Sequence, residues 1–295
     1  MQLEAAVVGM GTMGRLVVQA WRQQGHQVGV FDVQPQALQL ARELGAQVLD
    51  SPAELARQAP VVVIFLPGPA QVDRVVAGPQ GLLEGAQPGQ ILVDMGTTDP
   101  GTTRRMGRLA AQQGVGYLDA PVLGRPGSVG RWVLPVGGDE ALLERVRPWL
   151  VQVAKELVPV GPLGAGHTLK LLNNLMFGAI NAITAEVLAI SERAGLDPAR
   201  LYGTIANSEA ATVSGLFRES GRRIVERDFS PAFTVDLLCK DNALALQMAR
   251  EAGVPALLAS TVQTLNEWAQ ATGHGAEDTS AVVKVYEQLL AGGKS

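Results

Sequence analysis

The sequence predicts an α/β chain in two halves, a doubly wound parallel sheet followed by an all-α C-terminal domain. Three observations carry this. The chain opens on a strand, glycine turn, helix, strand and acid between Leu3 and Asp32. Short continuous apolar runs then alternate with helical segments, the rhythm of a parallel sheet covered on both faces. After Pro159 strand-like runs stop and only helical patterns remain.

Residues Leu3 to Val8 are a short apolar run, and Gly9-Met10-Gly11-Thr12-Met13-Gly14 follows it. Leu16, Val17, Ala20 and Trp21 recur at helical spacing up to Gly25, and a second apolar run from Gln27 to Phe31 ends at Asp32. A glycine-rich turn alone is weak evidence; between a strand and a helix it is strong. Gly9 permits the tight turn, Gly11 lets backbone approach a pyrophosphate, and Gly14 allows helix to pack closely on strand. The helix N-terminus offers N–H groups and partial positive charge to an anion. The reading is a Rossmann-type nucleotide-binding half. Asp32 lies 21 residues after Gly11, near the spacing of an acid that binds the adenosine ribose, and no arginine or lysine follows until Arg42. A carboxylate there repels a 2′-phosphate, so the expected cofactor is NAD rather than NADP.

Further strands are expected at Val61–Leu66, Ile91–Val93, Tyr117–Pro121 and Val133–Val136. Helices are expected at Pro35–Leu44, Pro52–Ala59, Gln71–Val76 and Pro100–Gln113. Ligands of such sheets sit beyond the carboxyl ends of the strands, where Leu66, Pro67 and Thr97 stand.

Composition narrows the class. The chain has 295 residues, 47 % apolar, with a net charge of −4 and its charges mixed throughout. With no basic patch, nucleic acid is not an expected partner. The lone cysteine, Cys239, forms no internal disulfide and points to a reducing, cytoplasmic setting. No basic leader precedes the first strand, and no charge-free apolar run approaches the length of a membrane span. The chain shows no pattern of metal ligands.

In the second half, helices are expected at Gly164–Arg193, Pro198–Asn207, Ser214–Glu226, Val235–Glu251, Pro255–Ala271 and Thr279–Leu290. The joint is expected at Gly161–Gly164, giving domains 1–162 (dinucleotide binding) and 163–295 (helical). The long helix is apolar nearly all round, so it is expected to be buried. His167, Lys170, Asn174 and Asn181 fall near one stripe of it. A lysine on a buried helix is costly unless its site uses it.

Four motifs now stand in order: Gly9–Gly14, Asp119-Ala120-Pro121-Val122, the run from Gly164 through Lys170 to Asn174, and Lys240-Asp241-Asn242-Ala243-Leu244-Ala245. Together they resemble the β-hydroxyacid dehydrogenase family, which includes 3-hydroxyisobutyrate and tartronate semialdehyde dehydrogenases. The resemblance covers essentially the whole chain. It implies that Lys170 is the catalytic acid/base, that Asn174 orients the substrate, and that Lys240 lies near nicotinamide and substrate. It implies cofactor contacts at Leu66, Pro67 and Thr97, and a homodimer or homotetramer through the helical domain. A lysine can take or return the hydroxyl proton once burial or positive neighbours bring its pKa towards ~7–8.

The chain departs from the family after Asp119–Val122. The usual Ser-Gly-Gly, which holds a substrate carboxylate, is replaced by Leu123-Gly124-Arg125-Pro126. The serine hydroxyl is gone and Pro126 has no N–H. Gly96 also stands where a serine is common. Either Arg125 takes over anion recognition by a bidentate contact, or the pocket is apolar and the substrate is not a short hydroxy acid. The expected activity is hydride transfer between NAD(H) and a small hydroxy acid or its semialdehyde or keto form. The alternatives are a promiscuous aldehyde or semialdehyde reductase, or a catalytically silent NAD-binding module. Leu123, Gly124, Arg125, Asn174 and Lys240 are the expected substrate contacts.

Overall fold

The computed structural model describes residues 3–208 and 215–292. The chain divides into two compact units, Met1–Lys170 and Leu171–Ser295.

The first unit runs β1 (Ala5–Val8), α1 (Gly14–Gln23), β2 (Val28–Phe31), α2 (Pro35–Glu43), β3 (Gln47–Val48), α3 (Pro52–Gln58) and β4 (Val61–Ile64). It continues with α4 (Pro69–Ala77), α5 (Leu82–Gly85), β5 (Ile91–Asp94), α6 (Pro100–Ala111), β6 (Gly116–Asp119), β7 (Trp132–Gly137), α7 (Glu140–Leu150) and β8 (Ala154–Gly161). The strands form one eight-stranded sheet in the order β3-β2-β1-β4-β5-β6-β7-β8. β1 and β4, inside the sheet, are apolar at every position because both faces are covered. Ala5, Val7, Val61 and Val63 look to one core, and Ala6, Val8, Val62 and Ile64 to the other, as the two-residue period of a strand requires. Prolines in the first turn and side-chain caps start several helices. Ser51 accepts from the Glu54 N–H at 3.1 Å, and Asp99 from the Thr102 N–H at 2.8 Å.

The sheet is not wholly parallel. β7 returns antiparallel to β6, and β8 then pairs parallel with β7. The link from β6 to β7 carries no crossover helix, and without one the chain comes back alongside in the opposite sense. The short elements β3 and α5, and the longer α7 and β8, are not marked in the sequence. β8 is an edge strand, where Pro159 is tolerated and alternation is weak, and α7 contains Pro148.

The second unit is helical: the larger part of α8 (Ala165–Arg193), then α9 (Pro198–Ala206), α10 (Gly215–Glu226), α11 (Val235–Glu251), α12 (Leu257–Ala269) and α13 (Val283–Gly292). Ser214, where α10 was expected to begin, lies outside the described residues. Ala185, Leu188, Ile224, Val235, Val282 and Val285 build its core. α12 ends in a π-turn, Gln270–His274, released by Gly273 at φ +92°, and a 3-10 turn at Thr279–Val282 precedes α13. α8 is not buried all round. Its polar positions Asn174 and Asn181 are buried, while Leu172, Met176, Ile183 and Ile190 are exposed. By length and composition α8 would suffice to cross a membrane, although half of that stretch is buried in the protein. Lys170, Glu186 and Glu192 interrupt it, so it holds no charge-free run of that length.

Candidate active site

β1 feeds directly into the glycine turn. Gly9 has φ +93°, and a Cβ there would lie 2.1 Å from the Phe65 carbonyl oxygen. A Cβ on Gly14 would lie 1.9 Å from the Gly9 carbonyl oxygen, so α1 starts hard against the turn. Gly11 differs: a Cβ there meets nothing within 4 Å. It projects into open space over the N-terminus of α1, whose first turn has no acidic residue and no side-chain cap. Gly11 and Thr12 are exposed, Met13 is half-buried and Met10 buried. A backbone cradle of this kind fits a pyrophosphate. Asp32 ends beside it. Its Oδ2 accepts from the Met10 N–H at 2.6 Å and its Oδ1 from the Gln34 N–H at 2.8 Å. The carboxylate therefore braces the turn as well as standing where a ribose acid is expected.

Leu66 and Thr97, both half-buried, and exposed Pro67 follow the carboxyl ends of β4, which pairs with β1, and of β5, which pairs with β4. Asp94, the last residue of β5, is fully buried. Its Oδ1 accepts from the Gly96 N–H at 3.0 Å and its Oδ2 from the Tyr117 hydroxyl at 3.3 Å. Burial holds the Asp94 carboxyl above the usual carboxylate range, against the opposing pull of His167 and the Gly96 N–H. Burial, reinforced by the Asp94 charge, also drives the Tyr117 hydroxyl well up.

The divergent loop between β6 and β7 is closed on itself. Leu123 exchanges both backbone hydrogen bonds with Val133, at 2.9 and 3.1 Å. The Arg125 N–H donates to Ser128 Oγ at 3.1 Å. The Arg125 carbonyl accepts from the Ser128 hydroxyl at 2.9 Å and from Trp132 Nε1 at 2.9 Å. The N–H groups of Leu123 and Arg125 are thus spent internally, and Pro126 has none. Gly124 is exposed and Arg125 half-buried. Beside the loop, half-buried Lys170 donates from Nζ to the Val122 carbonyl oxygen at 2.8 Å. His167 is fully buried; its Nδ1 is 2.7 Å from Thr103 Oγ1 and its N–H donates to Asp119 Oδ2 at 2.7 Å. Thr103 thus holds the ring through Nδ1, while Nε2 is buried without a hydrogen-bond partner among the described residues.

In the second unit, Asn174 is buried and donates from Nδ2 to Asp241 Oδ2 at 2.6 Å. The other carboxylate oxygen of Asp241 pairs with Lys240. A carboxylate only accepts, so Asp241 fixes which end of the Asn174 amide faces it and leaves the carbonyl end directed elsewhere. Asp241 stands in the Lys240–Ala245 motif, but on a helix that also carries Asp236, Asn242, Arg250 and Glu251 its residue type alone does not mark it. A cavity of about 690 Å³ in the same unit is bounded by Leu188, Ile224, Val283, Glu192, Arg227 and Glu287, and none of the expected site residues lines it.

Comparison with known proteins is consistent across the chain. Residues 4–161 match the family described as NAD binding domain of 6-phosphogluconate dehydrogenase. Residues 164–286 match NAD-binding of NADP-dependent 3-hydroxyisobutyrate dehydrogenase. The 2-(hydroxymethyl)glutarate dehydrogenase of Eubacterium barkeri is 32 % identical over 289 residues, 97 % of this chain and 96 % of that protein. The 3-hydroxyisobutyrate dehydrogenase of Pseudomonas aeruginosa is 33 % identical over 296 residues, 96 % of this chain and 98 % of that one. The chain belongs to the β-hydroxyacid dehydrogenase family. Among solved structures, a 3-hydroxyisobutyrate dehydrogenase from Salmonella typhimurium superposes with a TM-score of 0.86 at 28 % identity, covering 96 % of this chain and 99 % of its own.

A member of this family is an NAD(P)-dependent oxidoreductase acting on CH–OH groups. The cradle at Gly11 and the uncapped start of α1 are the parts of this chain suited to the dinucleotide, which when bound supplies or accepts the hydride.

Proposed function

We propose that this dehydrogenase interconverts a small hydroxy acid and its semialdehyde or keto form with NAD(H), using Lys170 as acid/base. The observation that carries the reading is Lys170 held by the Val122 carbonyl, in the same unit as the nucleotide cradle. In reduction, Lys170 gives an N–H proton to the carbonyl oxygen as its electron pair localises there; in oxidation, the neutral amine removes the hydroxyl proton. The ammonium also stabilises the developing alkoxide. In the helical unit Asn174 and Lys240 share Asp241, and the family resemblance gives Asn174 the orientation of the substrate without added charge and Lys240 the supply of positive charge. The experiment is an NADH- and NADPH-linked panel of glyoxylate, succinic semialdehyde, methylmalonate semialdehyde, tartronate semialdehyde and uncharged aldehydes. Turnover of an acidic member supports the proposal. NADH binding without turnover of any member sinks it and leaves a nucleotide-binding module.

Asp32 supports NAD. Its carboxylate stands at the glycine turn and no cation follows it before Arg42. kcat/KM is expected to favour NADH over NADPH by about tenfold or more, the equivalent of ~1.4 kcal/mol. A preference for NADPH refutes this role of Asp32.

For the acid group of the substrate, the closed loop favours Arg125, because the N–H groups of Leu123 and Arg125 are already used. Arg125→Ala is expected to raise KM for carboxylate substrates by about 10–100-fold, the value of a charged hydrogen bond, and to leave uncharged aldehydes unaffected. Equal KM values for the two classes would move the substrate to the non-acid alternative. The same reading makes the protein a cytoplasmic homodimer or homotetramer. The exposed apolar stripe of Leu172, Met176, Ile183 and Ile190 on α8 supports the association.

A further inference from the structure

We propose that Asp119 is the positioning residue for Lys170, fixing the start of α8 so that the lysine tip meets the Val122 carbonyl. The inference rests on the reading of Lys170 as acid/base. Asp119 is the last residue of β6 and is fully buried. Its Oδ1 accepts from the Gly164 N–H and its Oδ2 from the His167 N–H, both at 2.7 Å. These are the amides at the start of α8, which the helix itself leaves without partners. Three residues further on, the Val122 carbonyl takes the Lys170 ammonium at 2.8 Å. One four-residue segment, Asp119-Ala120-Pro121-Val122, thus grips α8 at its first turn and again at the end of its lysine.

The surroundings admit little slack. A Cβ on Gly137 would sit 2.4 Å from Asp119 Oδ1, and one on Gly166 2.9 Å from Oδ2 and 2.5 Å from the Pro135 carbonyl oxygen. Two glycines therefore let the carboxylate reach the helix. The His167 ring, held at Thr103, fixes the same turn from the side of α6. A shift of the first turn carries Lys170 with it, since both stand on one rigid helix. Misplacement of a reacting group by about 1 Å costs on the order of 10²-fold in rate.

The test uses Asp119→Asn in the full-length protein. An amide keeps the shape but has one accepting oxygen and sets an NH2 against a helix N–H. The expected result is a kcat lowered by about 10–100-fold, NADH affinity retained, and the lysine limb of the kcat–pH profile moved by about half a unit or more. The double variant with Lys170→Ala decides the route of action. If Asp119 works through Lys170, Asp119→Asn lowers the residual rate of Lys170→Ala no further. Additive losses, or an unmoved pH profile, overturn the proposal. If Lys170→Ala alone retains turnover, it is the acid/base reading that fails. Should Asp119→Asn not fold, Thr103→Val, which releases the His167 ring and leaves the carboxylate in place, is judged by the same profile and the same double variant.

Discussion

Lys170→Ala is expected to lower kcat by about 10²–10⁴-fold, the usual contribution of a general acid/base, while NADH affinity stays nearly unchanged. Its side chain is anchored at Val122, which is no part of the glycine turn after β1, so the dinucleotide cradle is expected to keep its shape when the ammonium is lost. Lys170→Arg makes the second half of this test. Arginine retains the positive charge but does not give up its proton near neutral pH. If charge stabilisation of the alkoxide dominates, arginine recovers part of the rate; if proton transfer dominates, it does not. Turnover close to that of the parent in Lys170→Ala would remove the residue from the chemistry.

Gly14→Ala is expected to weaken NADH binding by about 10²-fold or more and to cost ~1–3 kcal/mol of stability, as overpacking does. The new Cβ would fall 1.9 Å from the Gly9 carbonyl oxygen, and the contact is relieved only by prising α1 off the turn. Gly11→Ala is the informative partner, because its Cβ meets no protein atom within 4 Å. It should leave the melting temperature of the free protein unchanged and still weaken NADH, which would have to share that space. Thermal melts with and without NADH separate the two, since a ligand that binds the folded state raises its stability. A fall in apo stability for Gly11→Ala equal to that of Gly14→Ala would mean that both glycines serve packing alone.

Much of the fold could be read from the sequence where local and tertiary demands agree. Val61–Ile64 is apolar at every position because its strand is covered on both faces, and Pro35, Pro52, Pro100 and Pro198 mark helix starts because a first-turn residue needs no N–H. Reading failed where the two demands part. β8 carries Lys155, Glu156 and Pro159 on a sheet edge, so neither alternation nor a continuous apolar run marks it. The reversal at β7 is set by the absence of a helix between two strands, a matter of connectivity more than composition. In the site, glycines and lysines announce themselves by residue type and spacing. Asp119 and Asp241 do not, because an aspartate that holds other groups in place has the same local pattern as one in a turn.

The closed loop between β6 and β7 draws its order from a few positions late in its own sequence. Ser128, Trp132 and Val133 hold the backbone of Leu123 and Arg125, and none of those hydrogen bonds passes through the side chains at 123 or 125. The main-chain course of this loop is therefore held from positions 128, 132 and 133, and a substitution that keeps those three keeps the frame on which Leu123 and Arg125 stand.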